Sequence, residues 1–326
     1  ETESVSVFGG EELNPPQFGK VFVTIKPKYG PFVPNSIKNN LKTQLRKYSV
    51  AGIVCEIQDL KYLYVEVDIN AYYNANLTSS AESLKSVISD NINKYADSTE
   101  MNKYGAKFKY SKFQSVVDNS SEAVTSNITK VQIRRDMRAM LNQTAEYELC
   151  FGNPFYKKGN QSYNIRSSGF NVFGISDTVY LGDTPIPGGY TGTLFLFTLS
   201  GNNSATIVSP SVGTIDYDKG EIMLSPINIM STSKHVQGIP MIEVSACPIS
   251  NDVIGLQDLY LQLDISASTI DMVSDNIDSG NNSSGTLYVG TSSYKGSDIA
   301  RLTTSSATTS NLRAADTYTL GSSSTY

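Results

Sequence analysis

The sequence predicts an α+β protein: a split βαβ (βαββαβ) module, then a β-rich antiparallel sandwich or barrel domain, then a polar tail. Three observations carry this expectation. Over residues 19–119, apolar residues recur first with period two and then at three- and four-residue spacing, twice over, the mark of strands interleaved with helices. Over 120–272, short alternating apolar runs are separated by Gly, Pro, Asn and Asp. From residue 273 large apolar side chains become scarce and Ser, Thr, Gly and Asn dominate.

Residues 1–18 are expected to be an extended lead segment. In "NPPQFGKVFVTIKPKYG" (14–30) the strand "KVFVTI" places Val21, Val23 and Ile25 on one face, and Pro27 ends its capacity to pair. After Pro34 and a possible cap at Ser36, the spacing of Ile37, Leu41, Leu45 and Tyr48 predicts a helix. A strand "GIVCEI" resumes from Gly52. "KYLYVEVDINAY" then alternates, with Leu63, Val65, Val67 and Ile69 on one face and Tyr62, Tyr64, Glu66, Asp68 and Tyr72 on the other.

A capping box, Ser79 to Glu82, opens a helix carrying Leu84, Val87, Ile88, Ile92 and Tyr95 on one side. "AKFKY" from Ala106 supplies the last strand of βαββαβ, a plan in which two helices pack on one face of an antiparallel sheet. "SKFQSVVD" reads as a short amphipathic helix. The strands expected beyond it are "NITKVQIRRDMRAM", "AEYELCF", "DTVYLG", "TLFLFTL", "GTIDY", "GEIMLS", "PMIEVSA" and "DLYLQLDIS". Their close spacing favours an antiparallel arrangement over βαβ crossovers. The tail, 273–326, has the composition of a mobile segment and is expected to be held by packing on the body or on a second copy, with Leu287, Tyr288 and Tyr318 as anchors.

With 326 residues the chain has room for about two domains. Its composition, 39% hydrophobic but only 17% charged, with abundant Ser, Thr, Asn, Gly and Tyr, suits strands and turns. A net charge of −5 gives no general attraction to phosphate backbones or anionic lipids, so neither nucleic acid nor membrane is an expected partner. No apolar run approaches the ~20 residues that span a bilayer, and no charged-then-apolar signal segment opens the chain, which reads as intracellular where it is made. On that reading the sequons at Asn76–Thr78 and Asn127–Thr129 carry no weight. Cys55, Cys150 and Cys247 are scattered and read as buried free thiols.

Chemistry-bearing patterns are few. His235, the single histidine, sits in the polar segment "STSKHVQG" and reads as a surface loop residue, with no nucleophile motif to serve. GxSxG, HExxH, GxGxxG and Walker A patterns are all missing. "DYDKGE" (216–221) offers Asp216, Asp218 and Glu221 as oxygen ligands, but its spacing leaves the EF-hand pattern and reads as a hairpin with Asp218–Gly220 at its tip. No catalytic residue, cofactor or metal is therefore expected.

The tyrosine-bearing face of "KYLYVEVDINAY" admits two readings. RNA-recognition modules stack bases on such a sheet, but Glu66 and Asp68 share the face and the required Gly and aromatic pattern is missing. A protein contact fits better, because tyrosines give large contact area with little rotamer freedom lost. Tyr62, Tyr64 and Tyr72 are thus interface candidates. The basic cluster "KVQIRRDMR" (130–138) reads as a solvated or partner-facing strand edge.

The stretch "VFGGEELNPPQFGKVFVTIKPK" (7–28) resembles the signature of the baseplate wedge proteins of contractile-tailed bacteriophages, within the broader baseplate J-like family, and most closely the T-even type. The resemblance is strongest over residues 5 to about 100 and continues more loosely through "VGTIDYDKGEIMLS". It implies that the chain is the carboxy-terminal part of a longer wedge subunit, consistent with Glu1 in place of an initiating Met. It further implies a virion protein of the tail, assembled in the host cytoplasm. Such subunits pair with copies of themselves as homodimers and with other wedge proteins, in a ring around the hub that rearranges when the sheath contracts. Pro15, Pro16 and Pro27 then acquire a reason, as residues fixing the angle at which the preceding segment enters. The alternative is a receptor- or glycan-binding module of a phage tail. A carboxylate-based glycosidase ranks third, lowered by the lack of Trp.

Overall fold

A computed structural model describes residues 2–275 apart from 14–15, 31–32, 51, 160–162, 202–203 and 257–258. Pro15 and the tail residues Leu287, Tyr288 and Tyr318 lie outside the described residues.

The chain opens with strand β1 (Thr2–Gly9) and continues through β2 (Lys20–Pro27), helix α1 (Asn35–Leu45) and β3 (Val54–Gln58). β1 pairs antiparallel with β2, with Val7 opposite Val23, and β3 pairs parallel with β2, with Ile57 opposite Val23. The helix is the crossover that a parallel pair needs. Phe8 and Phe22, stacked 5.7 Å apart, fill the inward face of this three-stranded sheet. The stretch expected as a lead thus contains a paired strand, hidden because Ser4 and Ser6 occupy positions where an apolar residue would mark a core face. Pro27 ends β2 as expected. The cap of α1 is Pro34, whose carbonyl accepts from the amides of Ile37 and Lys38, rather than Ser36. Ile37 and Leu45 remain 49% and 37% exposed, so this helix packs lightly.

Next come β4 (Lys61–Tyr73), α2 (Ala81–Ala96), β5 (Lys107–Phe108), α3 (Tyr110–Asp118) and β6 (Val124–Arg138). The alternation in β4 is realised: Leu63, Val65, Val67, Ile69 and Ala71 are all buried in the main core. Leu84, Ile88 and Ile92 of α2 reach the same core. Phe113 of α3 packs beside them, its ring 5.2 Å from that of Phe108 and 5.9 Å from that of Tyr95. The cap of α2 is Ser80, whose hydroxyl accepts from the Ser83 amide at 3.1 Å, one residue later than the expected Ser79.

These strands do not form one split βαβ sheet. β2 belongs to the three-stranded sheet, β4 joins β6 in a seven-stranded one, and β5 forms a two-stranded ladder with residues 253–254. Period-two patterns mark strands without naming their partners, and each of these strands finds its partner elsewhere.

The following segment contains β7 (Thr144–Cys150), β8 (Arg166–Ser167), β9 (Phe170–Val172), β10 (Val179–Pro185), β11 (Thr191–Leu199), β12 (Ala205–Asp216) and β13 (Glu221–Thr232). Pairings run β9–β10–β11–β12–β13 and back to β9, all antiparallel, so five strands close on themselves as a small barrel, with β7 added along β13. Closure removes most free edges. Leu181, Leu194, Leu196, Ile215, Ile222 and Ile229 belong to the core. The 217–220 turn joins β12 to β13 as a hairpin: Asp216 Oδ1 accepts from the amides of Asp218 and Lys219 at 3.0 and 3.1 Å.

The last described strands are β14 (Lys234–Val236), β15 (Ile239–Ala246), β16 (Val253–Ile254), β17 (Leu259–Leu263) and β18 (Thr269–Ser274). The seven-stranded sheet has the order β14-β15-β6-β4-β17, with β18 also on β4 and β8 on β15. β17 and β18 lie in succession along β4, both parallel to it. The sheet begun by β4 is therefore completed by strands roughly two hundred positions later in the chain, and the boundary expected near residue 119 runs through it. Parallel pairing here departs from the antiparallel expectation, because Leu259–Leu263 returns from a long excursion rather than from a tight turn.

Candidate interface surfaces

The polar face of β4 was the expected contact surface. Tyr62 at its start is only 8% exposed. Its ring stacks on that of Tyr64 at 5.5 Å and meets Tyr260 edge-on at 6.1 Å, while Tyr104 closes on Tyr260 at 5.3 Å. Lys26 of β2 sets its ammonium 5.4 and 5.6 Å from the Tyr62 and Tyr260 ring centroids, a cation–π cover. Burial lowers the Lys26 pKa, an effect Glu3 at 3.9 Å opposes. Burial likewise drives the phenols of Tyr62, Tyr64 and Tyr260 well above their usual range. The chain's own first sheet thus covers this end of the face. Tyr64 and Tyr72 are half-buried. Eight residues of strand, about 26 Å, separate them, so they do not share one patch.

Beside Tyr64 lies a group that pattern reading missed. Arg134 of β6, 8% exposed, donates from Nε to Asp136 Oδ1 and from Nη2 to Asp264 Oδ2, each at 2.9 Å, and from Nη1 to Glu66. Its guanidinium carbon sits 4.5 Å from the Tyr64 centroid. One cation therefore joins β4, β6 and the segment after β17. Burial raises the Glu66 and Asp136 pKa values, with Arg134 pulling the other way. For Asp264 burial is outweighed by hydrogen bonds from Ser266 and Arg134, and its pKa is lowered. Burial acts to lower the Arg134 pKa, but the surrounding carboxylates overcome it and raise the value. The "KVQIRRDMR" cluster is accordingly not a sheet edge, since β6 lies between β15 and β4. The available signal was the same-face spacing of Arg134 and Asp136, opposite charges two apart on a strand.

Two other surfaces are exposed. On edge strand β1, Val5 and Val7 are 51% and 61% exposed. Between the start of α1, the start of β4 and the β14–β15 hairpin lies a cleft of about 560 Å³ whose lining includes Tyr62 and Tyr64.

His235 is exposed on β14, and the three cysteines are half-buried rather than fully buried. Among the described residues no group of three or more His, Cys, Asp or Glu is placed to hold a metal ion. No described helix is long and apolar enough to cross a membrane.

Two family models match adjoining stretches: "Baseplate structural protein gp6, C-terminal domain I" over residues 1–58, and "C-terminal domain III" of the same protein over residues 61–136. The break between them falls where the chain leaves the three-stranded sheet for β4. The chain is also similar to the baseplate wedge protein gp6 of Enterobacteria phage T4, with 24% identity over 145 residues. That match covers 44% of this chain and 22% of the relative, so the matched stretch spans less than a quarter of the wedge protein's length. Residues 1–58 and 61–136 thus resemble C-terminal domains I and III of gp6, which supports reading the chain as the C-terminal part of a baseplate wedge protein.

Proposed function

We propose that the chain serves as a structural subunit of the tail baseplate wedge, in contact with copies of itself as a homodimer and with other wedge proteins. The ring they form around the hub rearranges when the sheath contracts. Its work is mechanical, with no catalytic step and no cofactor. The observation that carries this reading is the pair of adjoining matches to gp6 C-terminal domains, each falling on a separate sheet.

Self-contact is supported by β1, which lies at the edge of its sheet among the described residues and exposes Val5 and Val7. Tyr64 and Tyr72 are kept as further contact candidates because each is only half-buried. An antibody raised against this chain, applied to intact tails in the electron microscope, tests the placement. Label at the baseplate is expected; label confined to fibres or sheath would overturn the reading.

A further inference from the structure

Among the described residues no strand of the first sheet pairs with a strand of the body that follows it. Its buried residues Phe8, Phe22 and Val23 also stay outside the continuous apolar core, which is built from Leu63 onward. What crosses the seam between them is mainly polar. Lys26 reaches from β2 over the rings of Tyr62 and Tyr260, Glu3 of β1 accepts from Asn102 Nδ2, and Asn102 in turn accepts from the Tyr260 hydroxyl. Three clefts open along the seam, each with walls from both sides: one of about 560 Å³ between Lys38 and Tyr64, a second of about 560 Å³ between Phe8 and Leu259, and a third of about 360 Å³ between Lys28 and Asp264. A protein interior packs without such voids. Contacts between two parts of a chain that are neither large nor apolar leave relative motion as the expected behaviour.

We infer that the first sheet with α1 is a hinged body, and that the contact of Lys26 with Tyr62 and Tyr260 is the latch that fixes its orientation. The pivot is Asp59–Leu60, where the chain crosses the seam. Asp59 accepts from Lys38 on the near side, while Leu60 is buried against the tyrosines on the far side. The latch residues suit a contact that opens. When Lys26 leaves the rings, its ammonium regains water and Glu3, 3.9 Å away, loses no buried partner charge, so no ion is stranded. The tyrosines it uncovers carry hydroxyls that water satisfies. Each side also keeps a core of its own, the Phe8–Phe22 stack on one and the Leu63–Ile69 face on the other. The Arg134 cluster is a different kind of tie, because it joins segments within the body and stays closed in either orientation. The inference stands on the seam alone; within the assembly reading above it names the joint at which such a subunit changes shape.

The test uses the whole chain, with nitroxide labels attached through p-acetylphenylalanine at Asn40 of α1 and Lys219 of the β12–β13 turn, both exposed. Pulsed electron–electron resonance reads the distance distribution between them. A second pair, at Ser86 of α2 and Lys219, lies within the body and serves as the reference. The wild type should give one narrow distribution for the Asn40–Lys219 pair. Lys26→Ala should at least double its width or add a second population, with the reference pair and the far-UV circular dichroism unchanged. Lys26→Arg, whose guanidinium also stacks on aromatic rings, should restore the narrow distribution. An unchanged width in Lys26→Ala, equal broadening of the reference pair, or a wild type already as broad as the variant would each overturn the inference. A loss of circular dichroism signal in Lys26→Ala would overturn it too, by showing that the sheet unfolds rather than swings. None of these readouts depends on baseplate labelling, so the hinge and the assembly reading fail separately.

Discussion

The guanidinium of Arg134 lies against the ring of Tyr64, with its carbon 4.5 Å from the ring centroid, while its nitrogens reach three carboxylates on separate segments. This one side chain ties the central strands β4 and β6 to the stretch that follows β17.

Replacing it should therefore be costly. Arg134→Met leaves Glu66, Asp136 and Asp264 facing one another at 14–16% side-chain exposure without a counter-charge. A loss of about 3–5 kcal/mol at neutral pH is expected from urea unfolding. The loss should shrink as the carboxylates are protonated; a variant equally destabilised at pH 3.5 and pH 7 would contradict this account.

The pH dependence of the same group has a defined sign. Glu66 and Asp136 titrate above their usual values in the folded protein, so the native state binds their protons before the unfolded chain does. Their contribution to stability therefore grows as pH falls from neutrality through the raised folded values. Asp264 has the opposite shift, and its contribution is lost as pH falls through its lowered value. A Glu66→Gln, Asp136→Asn double variant should gain less stability than the wild type between pH 7 and pH 5. Identical pH slopes in that window would contradict the assignment.

Asp183 anchors the barrel from inside. It is 2% exposed; its Oδ1 accepts from the amides of Asn164 and Ile165, and its Oδ2 from the Tyr217 hydroxyl, all at 2.6 Å. Burial and this carboxylate together push the Tyr217 phenol far above its usual range. Tyr217→Phe should cost about 1.5–3 kcal/mol, the range for a hydrogen bond to a charged group. A loss under about 0.5 kcal/mol, the low end for a neutral hydrogen bond, would show the bond to be dispensable.

Much of this fold is legible in the pattern of residues. The alternation in Lys61–Tyr73, the helical spacing through Leu84, Ile88 and Ile92, and the turn at 218–220 all correspond to observed elements. Partner choice is not legible, because Leu259–Leu263 and Thr269–Ser274 carry nothing that names β4 as their neighbour or sets the parallel sense. The interface tyrosines show the same limit. Tyr62 has the alternation of an open face, but its cover comes from Lys26, Tyr104 and Tyr260, residues that only the tertiary fold brings there. Arg134 was visible as one of a run of charges, and its central role depends on Asp264, 130 residues away.

The β12–β13 turn supplies a paired test of backbone strain. Gly220 has φ +67°, and a Cβ there would lie 2.1 Å from the Asn153 carbonyl oxygen, whereas Gly174, at φ +87°, faces open space. Gly174→Ala should cost about 1–2 kcal/mol, the penalty of the left-handed backbone alone. Gly220→Ala should cost clearly more, because the clash is with main chain that cannot swing away. Equal melting temperatures for the two variants would contradict the close approach.

The most direct test of a wedge subunit that contacts its own copies is sedimentation equilibrium of the chain alone over a wide concentration range. The account predicts reversible dimerisation that is abolished by Val5→Asp with Val7→Asp, at unchanged circular dichroism. A wild-type chain that remains monomeric at every concentration would contradict it.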